Sequence, residues 1–173
     1  MITLVPTRLH WIKDDGVDDP SDLCAHSPVL FQIDGDTLVA PEEGDATVSA
    51  AAIYLLRTLE REHTTENPVD DQLFPCCGHA MYDSGGEDVV ISGCPNGSDV
   101  FVTHEGNGEI RLTPPNGKSY VIAVSDWRNV INEFSDLVRN FYDHSLPKRP
   151  ADDTDSAGFA KMMAEWNRRR NQM

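Results

Sequence analysis

The stretch SDWRNVINEFSDLVRNFY, residues 125–142, repeats apolar residues at the spacing of one helical face. Such a stripe is typical of an amphipathic helix packed on a core, and it consists of Trp127, Val130, Ile131, Phe134, Leu137, Val138 and Phe141. Ser125 is able to cap the first turn, and Pro147 lies just beyond the end. This segment predicts the principal helix of the fold.

The chain before this helix is rich in short strand candidates, which cover residues 89–92, 99–104, 109–112 and 119–124. The turns between them are short, and parallel neighbours would need crossovers of about a dozen residues, so an antiparallel meander is favoured. Asp34-Gly35-Asp36 indicates a further hairpin, and apolar spacing predicts a helix over 48–63. The predicted class is α+β: an antiparallel β-meander sheet with two main amphipathic helices packed on one face and a short C-terminal helix.

Length and composition predict a single α+β domain over residues 1–147. Residues 148–173 are predicted to be a linker and a C-terminal amphipathic helix, which docks on the domain through Phe159, Met162, Met163 and Trp166. The first residues do not resemble a secretory signal, and no run approaches the roughly 18 apolar residues of a membrane span. We therefore expect a cytoplasmic protein with reduced thiols, either a monomer or a weak homodimer.

Acidic residues outnumber basic ones by 29 to 14, which gives a formal net charge of −15. Residues 1–147 contain 25 acidic and 8 basic residues, whereas the last 26 residues contain 4 and 6. Binding to nucleic acid or to an anionic membrane needs clustered Lys and Arg, so neither is an expected partner. A strong negative charge steers cationic molecules, which favours a basic protein partner.

Two groups of carboxylates in turn-rich segments are the candidates for binding that partner: Asp14, Asp15, Asp18, Asp19, Glu42, Glu43 and Asp45. Neither group has the ligand order of a Ca²⁺-binding loop. The alternative interpretation of both groups is a solvated acidic surface without a partner, because runs of charge usually face water.

The residues that most resemble metal ligands are Cys76, Cys77, His79 and Cys94, since thiolates and imidazole suit Zn²⁺. Adjacent cysteines cannot easily direct both sulfurs at one ion, so we expect no metal and no cofactor; small thiols beside a turn are the favoured interpretation. The sequence HEGNG at 104–108 lacks the second histidine of a metalloprotease helix, and no nucleophile elbow or phosphate loop occurs. No catalytic residue is predicted, and the chain is not expected to be an enzyme.

Residues 93–105 read GCPNGSDVFVTHE, residues 109–112 read EIRL, and the principal helix follows. This combination, over about a third of the chain, resembles small acidic immunity proteins encoded beside bacterial polymorphic toxins, including those of contact-dependent growth inhibition and type VI secretion. The resemblance implies a cytoplasmic, non-enzymatic protein that binds and neutralises a cognate toxin domain, often a basic nuclease. It provides no shared catalytic motif that applies to particular positions here.

Two other classes remain open at the level of the sequence. A general acidic adaptor or nucleic-acid mimic would also carry this charge, but it would bind several DNA-handling proteins. A small zinc-binding module or enzyme would instead use Cys76, Cys77, His79 and Cys94.

Overall fold

The computed structural model describes residues 1–76, 80–93, 96–115 and 117–171. The helices are α1 (Val48–Arg57), α2 (Val124–Asp143) and α3 (Asp153–Asn171), with a short 3₁₀ turn at Pro41–Glu43. The strands are β1 (Ile2–Pro6), β2 (Lys13–Asp14), β3 (Val17–Asp18), β4 (His26–Ile33), β5 (Asp36–Val39), β6 (Asp45–Thr47), β7 (Phe74–Pro75), β8 (Ala80–Tyr82), β9 (Val90–Ser92), β10 (Gly97–Ser98), β11 (Phe101–Gly106), β12 (Glu109–Thr113) and β13 (Tyr120–Ala123). Every strand pairing is antiparallel among these residues, so the α+β class is confirmed.

The long strand β4 organises the first sheet. Its C-terminal half lies between β1 and β5, and its N-terminal half pairs with β6. The predicted turn at Asp34-Gly35 joins β4 to β5, with φ angles of 52° and 92°. Two positive φ angles in a row define the hairpin turn whose twist matches that of the strands.

The meander is smaller than the sequence predicts. Strands β11, β12 and β13 form it, in that order. The fourth predicted member, β9, pairs instead with β8 in a separate hairpin, and β7 pairs with β10. The strands are therefore distributed over several small sheets around the helices, because pairing between distant segments is not encoded in the turn spacing that predicted a single sheet.

Helix α1 lies at the centre of the molecule, with all of its residues buried. It contacts both other helices as well as β4, β6 and β7. The sequence predicted a helix over 48–63, but α1 ends at Arg57. The chain then turns, because the backbone N–H and C=O of His63 exchange hydrogen bonds of 2.9 and 2.8 Å with Val102 of β11, which requires extended backbone there.

Helix α2 presents its predicted apolar stripe to the core. Trp127, Ile131, Phe134 and Val138 are buried, whereas Leu137 lies on the exposed side. The Trp127 ring stacks on Phe31 of β4 with centroids 5.8 Å apart, and its indole N–H donates to the hydroxyl of Thr58 at 3.1 Å. The helix thereby joins the first sheet to the end of α1.

Truncation of Phe134 to alanine is expected to lower the free energy of unfolding by about 3–5 kcal/mol, because it leaves a cavity in a fully buried position. The matched control is Leu137→Ala, which removes an apolar side chain that is 44% exposed on the same helix. Urea denaturation measures both variants. Equal stability of the two would show that α2 faces the core with a different side.

Helix α3 is not the short helix that the sequence predicts, since it spans 19 residues. Met162 and Trp166 are buried on its inner side. It approaches β8 so closely that a Cβ on Gly158 would lie 2.0 Å from the carbonyl oxygen of Met81. Only glycine allows this contact without movement of the backbone. None of the helices that the structure describes is long and apolar enough to cross a membrane.

A buried ionic cluster fixes α3 to the rest of the molecule. The carboxylate of Glu165 accepts hydrogen bonds from both Nε and a terminal nitrogen of Arg57, at 2.8 and 3.0 Å. It also accepts from Nε of Arg169 at 2.8 Å and from the backbone N–H of Val89 at 2.7 Å. All three charged side chains are at most 5% exposed. One carboxylate thus joins α1, α3 and the segment that leads into β9.

Replacement of Glu165 by Gln should destabilise the protein by about 3–5 kcal/mol, because the buried guanidinium group of Arg57 loses its counter-charge and that of Arg169 loses one of its three carboxylate partners. Glu133→Gln, a change of the same chemistry on the exposed side of α2, should stay within about 0.5 kcal/mol of the parent. Thermal and urea unfolding provide the comparison. A parent-like Glu165→Gln variant would mean that the cluster does not contribute to docking α3.

Candidate functional site

Four of the predicted partner-binding carboxylates lie together on one β-hairpin, which we name the acidic hairpin (residues 12–19). Lys13 pairs with Asp18 and Asp14 pairs with Val17, and the chain reverses through Asp15 and Gly16. These two turn residues have φ angles of 48° and 83°, the left-handed values that a tight hairpin needs. The Asp-Gly pair is therefore the local reason why this segment is a hairpin and not an irregular loop.

The acidic hairpin also exposes apolar side chains, which the sequence interpretation missed. Ile12 is 53% exposed and Val17 is 66% exposed. Val17 lies opposite Asp14 in the register, and directly opposed residues point to the same face of a hairpin. Ile12 lies two residues before Asp14, and the alternation of a strand places both on that face. The hairpin therefore presents aliphatic and carboxylate groups together.

The base of the acidic hairpin is held by buried aromatic packing. The Trp11 ring stacks on Phe141 of α2 at 4.9 Å and meets Tyr142 edge-on at the same distance. Its indole N–H donates to the hydroxyl of Ser145 at 2.8 Å. The ammonium group of Lys148 lies 3.1 Å from the centroid of the Trp11 ring, a cation–π contact. The hairpin thus projects from a rigid platform at the end of α2.

The carboxylate of Asp22 is structural and not part of the exposed surface. It accepts the backbone N–H of Ile12 at 2.8 Å and that of Cys24 at 3.2 Å, and it lies 3.4 Å from Nε2 of His26. Burial opposes its ionisation, but the hydrogen bonds and the charge of His26 dominate and hold the pKa of Asp22 below its ordinary value. Asp22 therefore anchors the start of the hairpin.

Asp22→Ala should lower the free energy of unfolding at neutral pH by about 1.5–3 kcal/mol, because it leaves buried donors without their charged acceptor. Asp14→Ala, on the exposed hairpin, should change it by less than about 0.5 kcal/mol. Because folding lowers the pKa of Asp22, its stabilisation is complete above the ordinary value of 3.8 and is lost as the pH falls through the lower folded value. Urea unfolding should therefore show the difference from the parent shrinking below about pH 4, and a pH-independent difference would exclude this role.

The second predicted group is partly used inside the fold. The carboxylate of Glu43 accepts the backbone N–H of Ala40 at 2.9 Å and the hydroxyl of Ser98. Asp45 lies 3.5 Å from Nε2 of His10 and 4.0 Å from the guanidinium of Arg8. Glu42 is exposed on the 3₁₀ turn. This group therefore offers less uncommitted negative charge than the acidic hairpin.

Of the four residues that most resemble metal ligands, Cys77, His79 and Cys94 lie outside the described residues. Cys76 is described, and its backbone N–H donates to the carbonyl of Asn96 at 3.0 Å. Within the described ranges, no group of three or more His, Cys, Asp or Glu side chains is placed to hold a metal ion.

A buried histidine–carboxylate pair has the geometry of a catalytic pair but serves the fold. Nε2 of His63 donates to Asp99 at 2.9 Å, and Nδ1 accepts the backbone N–H of Val69 at 3.1 Å. Asp99 also accepts the backbone N–H groups of Leu73 and Val100 at 3.0 Å. Both ring nitrogens are engaged and the imidazole is 1% exposed, so the pair positions the segment that follows α1.

A cavity of about 520 Å³ lies over the ionic cluster and is lined by Arg57, Arg61, Arg168 and Arg169 among others. Asp88 lies in the same lining, 2.6 Å from Arg168 and 2.8 Å from Arg169. The guanidinium groups therefore already face carboxylates. This cavity does not present a net positive site for an anionic ligand.

No protein-family model matches the chain, and no curated protein or solved structure is significantly similar to it.

Proposed function

We propose that this chain is an immunity-type binding protein of the cytoplasm, which neutralises a basic toxin domain, of nuclease type, without catalysing a reaction. The observation that carries the proposal is the acidic hairpin, because Asp14 shares one face of it with the exposed aliphatic side chains of Ile12 and Val17. Among the described residues, no ion pair involves Asp14, Asp15 or Asp18. Asp14 and Asp15 are therefore available to a cationic partner, whereas Asp18 lies opposite Lys13 of the same hairpin.

The charge of the hairpin suits capture of a nuclease. A nuclease must be cationic where it holds the phosphate backbone. Complementary charge on a binding protein accelerates encounter far above the rate for neutral surfaces and disfavours wrong partners. Rapid capture is useful to a cell that a nuclease enters, because the toxin acts as soon as it reaches nucleic acid.

The exposed aliphatic side chains of the hairpin supply binding affinity that the charges alone do not. Exposed ion pairs contribute little net affinity, whereas apolar groups at the centre of an interface are fully desolvated by the partner. In the proposed interface Ile12 and Val17 would take that central position, because both are exposed on the face of the hairpin that carries Asp14. The carboxylates are then expected to increase the rate of association, and the aliphatic groups to decrease the rate of dissociation.

The anchoring of the hairpin supports this role. The packing of Trp11 on α2 and the hydrogen bonds of Asp22 hold the base of the hairpin in one position. A surface that is ordered before binding loses less conformational entropy when it binds. Glu42, Glu43 and Asp45 remain a second candidate surface, with Glu42 as its most available carboxylate.

The decisive experiment tests whether the neighbouring gene encodes a nuclease-type toxin domain, and measures association with the catalytically inactive form of that domain. Reversal of three charges, in the triple variant Asp14→Lys, Asp15→Lys and Asp18→Lys, should slow association at least about tenfold at low salt. The difference should shrink as the Debye length falls from about 30 Å at 0.01 M salt to about 8 Å at 0.15 M. Val17→Ser should leave association unchanged and accelerate dissociation.

The matched control reverses three exposed carboxylates elsewhere, Glu66, Glu109 and Glu133, and so changes the net charge by the same amount. Equal slowing in both triple variants would show that total charge matters and the hairpin does not. Protection of cells from the active toxin by the hairpin variant at parental level would contradict the proposal. Comparable binding to several unrelated DNA-handling proteins would favour the acidic adaptor instead.

A further inference from the structure

A groove of about 500 Å³ lies on a different part of the molecule, between the first sheet and the meander. One wall is formed by the start of β1, the other by β13, and the first turns of α2 close one end. Several aliphatic side chains contribute to the lining: Ile2, Ile33, Val121, Ile122 and Val130. The groove therefore combines these side chains with the polar groups of two strand edges and of α2.

The β13 wall is an open sheet edge. Among the described residues, β13 pairs only with β12. The backbone N–H of Val124 donates to the carbonyl of Gly108 at 2.8 Å, so alternate residues, Ile122 and Tyr120, also direct their amide groups to β12. The backbone N–H groups of Val121 and Ala123 consequently point towards the open edge. The carbonyl of Val121 points the same way. Both residues line the groove.

Within the part of the chain that the structure describes, β1 pairs only with β4, so its first residues also form an open edge. The carbonyl of Met1 accepts the backbone N–H of Asp34, and the N–H of Thr7 donates to Pro28, which places the odd-numbered residues of β1 against β4. Ile2 therefore directs its amide groups away from β4, and it lines the groove. At the far end, the outward position is Pro6, which has no N–H to offer and so discourages pairing there.

We propose that this groove binds an extended, cationic segment of a protein partner, which adds as a strand to the open edge of β13. Main-chain hydrogen bonds to Val121 and Ala123 would supply the pairing, and the aliphatic lining would receive alternate side chains of the segment. The described lining contains the carboxylates of Asp34 and Asp126 and no Lys, Arg or His side chain. Asp34 is paired with the amino group of Met1, which leaves Asp126 as the principal counter-charge.

Charge also decides between a foreign segment and a second copy of this chain. Two copies would each bring a net charge of −15 and would repel each other on approach. A basic segment is attracted by the same charge. The groove is independent of the acidic hairpin, so its occupation does not depend on the proposed role of that hairpin.

The test uses the full chain and a capped eight-residue peptide of alternating Lys and Val, titrated by NMR and calorimetry. Peptide binding should shift the amide resonances of Val121, Ala123 and Ile2 and slow hydrogen exchange of the Val121 and Ala123 amides at least about tenfold. A peptide of alternating Glu and Val is the charge control and should not bind.

Val121→Pro removes only an outward-facing N–H, which an edge strand tolerates, and should weaken binding of the Lys–Val peptide at least about tenfold. Val121→Thr keeps the N–H and the branched shape, and should bind within about threefold of the parent. Asp126→Asn should weaken binding at low salt and lose its effect at high salt. Circular dichroism verifies that each variant folds. If Val121→Pro does not fold, the proposal is judged by whether the Lys–Val peptide slows hydrogen exchange of the Val121 and Ala123 amides in the parent chain.

Equal affinity of a folded Val121→Pro variant, or resonance shifts confined to other surfaces, would overturn the proposal. Peptide-independent protection of the same amides, together with a dimer in sedimentation, would also overturn it, because the occupant would then be a second copy. Binding of the Glu–Val peptide as tightly as the Lys–Val peptide would exclude a cationic segment.

Discussion

The carboxylate of Glu165 is the interaction on which the arrangement of the helices depends. Charged groups are costly to bury unless they are paired and hydrogen-bonded. Glu165 meets that requirement with two guanidinium groups and one backbone N–H, drawn from α1, from α3 itself and from Val89. If α3 left this position, Arg57 would be buried without a counter-charge. The pairing therefore specifies where the last helix docks, besides the apolar contacts of Met162 and Trp166.

The same cluster explains why the basic end of the chain is not a basic surface. The guanidinium groups of Arg168, Arg169 and Arg170 each meet a carboxylate, supplied by Asp88, Glu60 and Asp136 among others. Burial raises the pKa of Asp88, but the cations of Arg169, Arg57 and Arg168 outweigh it and lower the pKa below its ordinary value. These three guanidinium groups are therefore paired with carboxylates of the fold, whereas the carboxylates of Asp14, Asp15 and Asp18 on the acidic hairpin are exposed to solvent.

The acidic hairpin and the groove beside β13 are built on opposite physical principles. In the hairpin, Asp15 and Gly16 adopt the positive φ angles that a two-residue turn requires, and the side chains provide the groups available for binding. In the groove, the backbone edge of a strand provides the chemistry, and the side chains of Val121 and Ile2 provide only an apolar wall.

Local patterns in the sequence determined the class of fold and most of its elements. The apolar stripe of α2, the Asp34-Gly35 hairpin and three of the four predicted meander strands follow from periodicity and turn chemistry, which act over a few residues. The acidic hairpin was also encoded locally, by Asp15-Gly16, although its apolar residues were overlooked. The candidate carboxylates could be predicted as groups, since their density is a property of the sequence.

Only the tertiary structure decided which of these groups remain available. Glu43 and Asp45 have partners from other elements, Ser98 and His10, that no local pattern reveals. The early end of α1 accompanies the pairing of His63 with Val102, and the docking of α3 involves a cluster that reaches back to Arg57. Such contacts join residues far apart in the chain, and their free energy exists only when the folded chain brings them together. The sequence therefore determined the elements and the charge, whereas the packing of distant residues decided which charged groups remain exposed.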